Sequence, residues 1–241
     1  MLTAKAITFD IDWAPDFMIR ECMDICAEGG VRASFYATHP TPILAEIDAD
    51  PRFELGIHPN FLPGSSHGKT YDEVMSYCMA LAPRATSMRT HSLYQDSRMF
   101  AHITHAFPQI KVDASLFLMG HPNLQRVDLH LGEGKSIHRL PFYWEDDSFA
   151  EMPQSDWAKA PVTTTGLNIF AFHPVHVALN TSRMTTYETM RAKRPSIQSW
   201  TQEFTAEYVN QAKGARTFLR DLIARVPKAE FMTITEMGHA A

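Results

Sequence analysis

The residues able to do chemistry in this chain gather at the ends of short apolar runs. Asp10 and Asp12 follow Ala6-Ile7-Thr8-Phe9, and His58 follows the run from Phe53 to Ile57. Arg89 and His91 close a run from Ala85, Asp113 and Ser115 lie within Lys111 to Ser115, and His173 and His176 follow Leu167 to Phe172. Titratable groups collected at one end of a sheet are costly to bury unless they pair or bind a metal. One aspartate with two histidines is a ligand set for zinc or a similar divalent ion, with positions left for water and substrate. Asp10 and Asp12 alternate around Ile11, so in a continuing strand they share one face. Two like charges there repel unless a cation or an arginine sits between them. The second carboxylate is then in reach to act as a base.

The elements that must position these groups alternate between strand and helix. Strands are expected at 6–9, 31–37, 53–57, 85–89, 111–115, 137–140, 167–172 and 231–235. Helices are expected at 16–27, with a stop at Gly29-Gly30, at 42–49, at 70–81 behind the capping-box spacing of Thr70 and Glu73, and as one long helix over 202–225. Such alternation predicts a single α/β domain over 1–241 with a parallel sheet or barrel, because parallel neighbours need a crossover. Catalytic groups in such folds sit at the C-terminal ends of the strands. The stretches 121–135 and 143–165 lack periodicity and read as loops over the mouth.

Composition narrows the classes. The chain has 241 residues, 45% of them hydrophobic, and a net charge of −5 with its basic residues scattered, so no basic stripe exists for nucleic acid. No window approaches the roughly 18 to 20 apolar residues of a membrane helix. The start lacks the pattern of a signal peptide, which sets the expectation of a cytoplasmic protein. Cys22, Cys26 and Cys78 have no CxxC spacing and read as buried thiols. Gly64-Ser65-Ser66-His67-Gly68 fits G-x-S-x-G, but Pro59 and Pro63 separate it from the preceding strand, whereas a nucleophile elbow needs strand, serine and helix in direct succession. Gly132-Glu133-Gly134-Lys135-Ser136 lacks the first glycine of a P-loop and reads as a turn.

Taken in order, Thr8-Phe9-Asp10-Ile11-Asp12, Arg32-Ala33-Ser34-Phe35-Tyr36, Glu54-Leu55-Gly56-Ile57-His58, Arg89-Thr90-His91, Asp113-Ala114-Ser115 and Phe172-His173 resemble the motifs of NodB-type polysaccharide deacetylases, carbohydrate esterase family 4. With Leu179-Asn180-Thr181, the pattern is similar to a divergent subgroup associated with bacterial surface-polysaccharide synthesis. The resemblance implies a distorted (β/α) barrel of about seven parallel strands. It also implies one divalent ion, zinc before cobalt or nickel, and removal of an N-acyl group, an acetyl, from a sugar or polysaccharide precursor. Carried over by position, it makes Asp10 the general base, Arg89 its orienting partner, and Asp12 and His58 metal ligands. His173 becomes the general acid, in preference to His176, with Asp113 as its carboxylate partner. The chain departs from the family where Ile11 separates the two aspartates and where no histidine stands four residues after His58. His67 is favoured as the third ligand, with His91 as competitor and otherwise a substrate contact. A backbone N–H near Ser92 or Leu93 would be a second oxyanion donor. Trp144, with Phe142, Tyr143 and Trp157, is a candidate sugar-stacking wall. The rival readings are an amidohydrolase acting on a non-carbohydrate amide or formamide, and an inactive barrel that binds glycan or a partner.

Overall fold

Parallel strands with helices on their faces are buried on both sides, which is why they read as nearly continuous apolar runs. A computed structural model describes residues 4–159 and 165–240; residues 160–164 of the expected loop at 143–165 lie outside the described residues. The strands are β1 (Ala4–Asp10), β2 (Ala33–Ala37), β3 (Phe53–Ile57), β4 (Ser87–Met88), β5 (Val112–Asp113), β6 (Val127–His130), β7 (Ser136–Arg139), β8 (Trp144–Glu145) and β9 (Leu167–Phe172). They form one sheet in the order β6-β7-β5-β4-β3-β2-β1-β9-β8. Only the β6–β7 pair is antiparallel, so eight strands run parallel among the described residues, one more than expected.

The sheet curls into a distorted barrel. Arg89, just past β4, donates to Thr8 and Asp10 of β1 and to the Ala114 carbonyl past β5. In a flat sheet β4 and β1, three strand spacings apart, would be separated by ~14 Å, beyond the reach of one side chain. The barrel stays open between β8 and the β6–β7 hairpin, where a single parallel bridge, Phe117 to Phe142, spans part of the gap.

The helices are α1 (Asp16–Gly29), α2 (Ile43–Ala49), α3 (Tyr71–Leu81), α4 (Ser97–Ala106), α5 (Asp146–Glu151), α6 (Pro174–Leu179), α7 (Met184–Lys193), α8 (Gln202–Ala206), α9 (Ala215–Arg225) and α10 (Ile234–Ala240). α1 stops at Gly30, whose φ of 65° only glycine adopts without cost. α3 starts on the Thr70–Glu73 capping box that the spacing predicts. All three cysteines are buried and free.

Two expectations fail here. The long helix over 202–225 is broken into α8 and α9. Asn180, left-handed at the end of α6, donates through its amide to the carbonyls of Asn210 and Ala212, and Asn210 donates back to the Asn180 carbonyl. Gly214 passes so close that a Cβ there would lie 2.0 Å from the Asn180 oxygen. The apolar spacing continues across the break, but the backbone is claimed by a tertiary partner. The strand expected at 231–235 is reduced to one bridge from Phe231 to Lys5, because the Ile234 N–H donates to the Ser34 hydroxyl and α10 begins at Ile234. The P-loop lookalike is the β6–β7 turn, with Gly132, Glu133 and Gly134 all at positive φ.

Trp144 is a further correction. It lies in the core, its ring stacked on Phe218 at 4.5 Å and 9° and packed against Phe172 at 4.9 Å. Trp157 meets Phe149 edge-on at 4.8 Å and is buried as well. These rings hold α9 against β8 and β9 and leave no face for a sugar. Trp144→Ala is therefore expected to lower the unfolding free energy by about 3–5 kcal/mol, read from the denaturant midpoint, while KM of the folded fraction stays at the parent value.

Candidate active site

Strand β1 ends at Asp10, and the chain then turns through two left-handed residues, Asp12 (φ 45°) and Trp13 (φ 56°). This turn separates the two aspartates that alternation would have placed on one face. Asp10 stays inside the barrel, 2% exposed, against Arg89. Asp12 is carried out to the mouth, where β3 delivers His58 and the segment after β4 delivers His91.

Three ligand atoms converge there. His58 Nε2 and His91 Nδ1 each lie 3.1 Å from Asp12 Oδ1, and the two nitrogens are 3.3 Å apart. Ligands held at the roughly 2.0–2.2 Å of zinc–nitrogen and zinc–oxygen bonds make triangles with edges of roughly 3.0–3.5 Å. The triangle thus fits a divalent cation with its outer positions open. His58 Nδ1 is buried with no hydrogen-bond partner and faces Asp10 Oδ1 at 3.8 Å. A proton on that nitrogen leaves the Nε2 lone pair for the cluster, the arrangement in which a carboxylate steers a ligating histidine. Burial works against the charge on Asp12, but His58 and His91 more than offset it and hold its carboxyl well below the usual range. Burial likewise lowers His91, and Asp12 outweighs it to leave the imidazole above its ordinary value.

His67, favoured as the third ligand, is not in this cluster. Its Nδ1 accepts the Asn60 N–H at 3.1 Å, and its Nε2 lies 2.7 Å from the Thr38 carbonyl, which only an N–H can satisfy. Both ring nitrogens are spent. Burial brings the pKa down to about 4, so the ring is neutral and clips the loop after β3 to the end of β2. The loop between His58 and His67 does not deliver a ligand, and His91, the competitor, stands in its place.

Arg89 is fully buried beneath the rings of Phe142 and Tyr36, with guanidinium-to-centroid distances of 4.5 and 5.2 Å. Its Nη1 donates to Asp10 Oδ1 at 3.1 Å and its Nε to the Ala114 carbonyl at 2.9 Å. Across the mouth His173, at the end of β9, is gripped twice by Asp146. Its backbone N–H donates to Asp146 Oδ2 at 2.9 Å, and its Nδ1 lies 2.7 Å from Asp146 Oδ1. Burial lowers the His173 pKa, but Asp146, with Asp147 and Asp12, overrides it and raises the imidazole well above its ordinary value. Its other nitrogen, Nε2, points at Asp12 Oδ2, 3.8 Å away.

The carboxylate expected behind His173 was Asp113, and the structure replaces it. Asp113 accepts from Arg139 of β7 at 2.8 Å and from Ser115, just past β5, at 2.5 Å, so both its oxygens are committed. Asp146 is the residue that sequence reasoning missed. Its signal was the acidic run Glu145-Asp146-Asp147 inside a stretch without periodicity. Glu145 belongs to the same interior, grouped with Asp10 and His173, and burial with the nearby Asp147 pushes its carboxyl up to about 8. His176 is the weaker acid candidate, since burial holds it below its ordinary value and its Nδ1 lies 3.2 Å from the Thr181 hydroxyl. Of the expected oxyanion donors, the Leu93 N–H is taken by the Thr90 carbonyl at 3.0 Å.

A cavity of about 440 Å³ opens beside the triangle, lined by Asp12, Trp13 and His91 together with Tyr187, Arg191 and Gln198. No helix of the described residues is long and apolar enough to cross a membrane.

Comparison with known proteins gives the family and the fold. The family model described as WbmS-like polysaccharide deacetylase matches residues 7–191. A crystal structure from Bordetella bronchiseptica, described as a candidate polysaccharide deacetylase involved in O-antigen biosynthesis, is 32% identical. It aligns over 92% of this chain and 90% of its own with a TM-score of 0.77. The Bc1960 peptidoglycan N-acetylglucosamine deacetylase shares the fold at 12% identity, with a TM-score of 0.51 over 98% of this chain and 87% of its own. No curated protein sequence matches the chain. The match over residues 7–191 spans the strands that carry Asp10, Asp12, His58, Arg89, His91 and His173, and the chain belongs to the WbmS-like polysaccharide deacetylase family.

Proposed function

We propose that the protein hydrolyses an N-acyl group, an acetamide, on a sugar or polysaccharide precursor, with a divalent cation held by Asp12, His58 and His91. The observation that carries this reading is the ligand triangle flanked by two separately built pairs, Asp10 with Arg89 and His173 with Asp146. When bound, the cation supplies a Lewis acid for the acyl carbonyl and makes water acidic enough to attack near neutral pH. Asp10 accepts the proton of the attacking water, and Arg89 fixes the carboxylate that does so. His173 has its Nδ1 proton committed to Asp146, so the proton on Nε2 faces the mouth and is given to the departing amine as the C–N bond breaks.

The test is release of acetate and free amine from N-acetylated sugars by protein loaded with zinc, cobalt or nickel. Equal amounts of both products, lost on chelation and restored by metal, are expected. Turnover confined to non-carbohydrate amides or formamides overturns the sugar assignment, and absence of turnover with every metal overturns hydrolysis.

The acid role makes a pH prediction. Asp146 keeps His173 protonated above the ordinary imidazole range, and burial alone would do the reverse. Asp146→Asn removes the charge and leaves the burial, so the proton is lost at lower pH. The alkaline limb of kcat/KM is expected to move down by about one pH unit or more, the scale of a nearby opposite charge, with metal occupancy unchanged. An unmoved alkaline limb would show that His173 is not the group setting it.

A further inference from the structure

The cavity beside the ligand triangle carries one charge without a counter-charge. Asp12 is matched by His58 and His91 and by the cation that the proposed function places there. Arg191, a solvent-exposed residue lining the same cavity, has no carboxylate within ion-pair distance among the described residues. It is in the last turn of α7, where a basic residue also complements the helix dipole. The dipole accounts for Lys193 and Arg194 equally well, yet those two lie elsewhere: Lys193 donates to the Tyr208 hydroxyl, and Arg194 covers the ring of Phe204 at 4.3 Å. It does not account for a guanidinium lining the cavity.

Arg191 is also braced. Its Nη1 donates to the Tyr187 hydroxyl at 3.2 Å, and the Tyr187 ring is held edge-on against His176 at 5.0 Å and Trp200 at 6.0 Å. One nitrogen is anchored to an aromatic ring that is itself packed, and the rest of the planar fork is free to take an oxyanion through two parallel hydrogen bonds. Trp13 and Tyr187 line the same cavity and supply aromatic surface.

We propose that Arg191 is an anion subsite and that the N-acylated sugar bound here carries an acidic group, a carboxylate or a phosphate, on the side away from the amide. This rests on the sugar deacetylase reading and narrows its substrate to acidic sugars. The two acidic groups present the same pair of oxygens to a guanidinium. They correspond to a uronic acid and to a sugar phosphate or its esters.

Binding to the zinc-loaded protein, measured by calorimetry, tests this without requiring turnover. The probes are N-acetylglucosamine, N-acetylglucosaminuronic acid and N-acetylglucosamine 1-phosphate. They are compared in the parent, Arg191→Gln and Arg191→Lys, with zinc content checked in each. At least one acidic probe is expected to bind about tenfold or more tightly than the neutral one, with the advantage abolished in Arg191→Gln and partly kept in Arg191→Lys. Which acidic probe gains identifies the source. An advantage that persists in Arg191→Gln comes from the metal and overturns the subsite, as does equal binding of all three probes. Acetate release from the neutral sugar with no acidic preference leaves the deacetylase reading standing without the subsite. An Arg191-dependent preference with no acetate release leaves the subsite standing without the deacetylase.

Discussion

His91→Ala is expected to bind zinc at least about 100-fold more weakly than the parent, and His67→Ala to bind it within a few-fold. Loss of a residue that merely orients a ligand costs about 10- to 100-fold in metal affinity, so loss of a direct ligand from a three-residue set costs no less. Asp12→Ala and His58→Ala should behave like His91→Ala. His67→Ala has a different cost, because it strands the Asn60 N–H and the Thr38 carbonyl. Leaving such groups unsatisfied costs about 1–3 kcal/mol each, so this variant should melt earlier while keeping its metal. Competition titration against a chromophoric chelator reads the affinities and calorimetric melting reads the stability. If His67→Ala loses the metal and His91→Ala keeps it, the ligand triangle has been wrongly drawn.

Asp10→Asn should keep the cation and lose turnover by about 10²- to 10⁴-fold, the range for a general acid or base. The amide copies the shape of the carboxylate and still offers an oxygen to Arg89, but it cannot take the proton. Stability should fall as well. Arg89 is wholly buried, and removing the charge of one member of a buried ion pair costs about 3–5 kcal/mol. Turnover must therefore be measured on folded protein whose zinc content has been determined in the same sample. Parent-like kcat would remove Asp10 from the chemistry, and parallel loss of zinc would make it a support for His58.

The parts of this site legible in the sequence are those whose signal is local. The buried parallel strands announce themselves as apolar runs, and the groups at their ends follow: Asp10, Asp12, His58, Arg89 and His173 all arrive where the runs stop. What fails is pairing between distant segments. His67 and His91 offer equal chemistry, and the choice between them is made by Thr38 and Asn60, whose hydrogen bonds to His67 no spacing rule reveals. Asp113 and Asp146 are both acids near strand ends. Arg139 on β7 claims the first, and the parallel pairing of β8 with β9 sets the second beside His173. Trp144 shows the same limit, since an aromatic residue in an irregular stretch serves a core or a ligand according to whether a helix such as α9 covers it.

The left-handed turn after β1 sets the fold and the site at odds at a single residue. Asp tolerates such a backbone comparatively well, but Trp13 at a φ of 56° is a true outlier for a bulky side chain. A left-handed L-residue carries roughly 1–2 kcal/mol of steric penalty, which glycine at the same place would escape. The tryptophan ring meets His91 edge-on at 5.2 Å and His67 at 5.6 Å, and it also walls the cavity. Local preference and global design disagree here, and such frustration concentrates where a structure has a task besides folding. Position 13 is thus a point where the backbone alone would select a glycine, and only the cavity above it has a use for an indole.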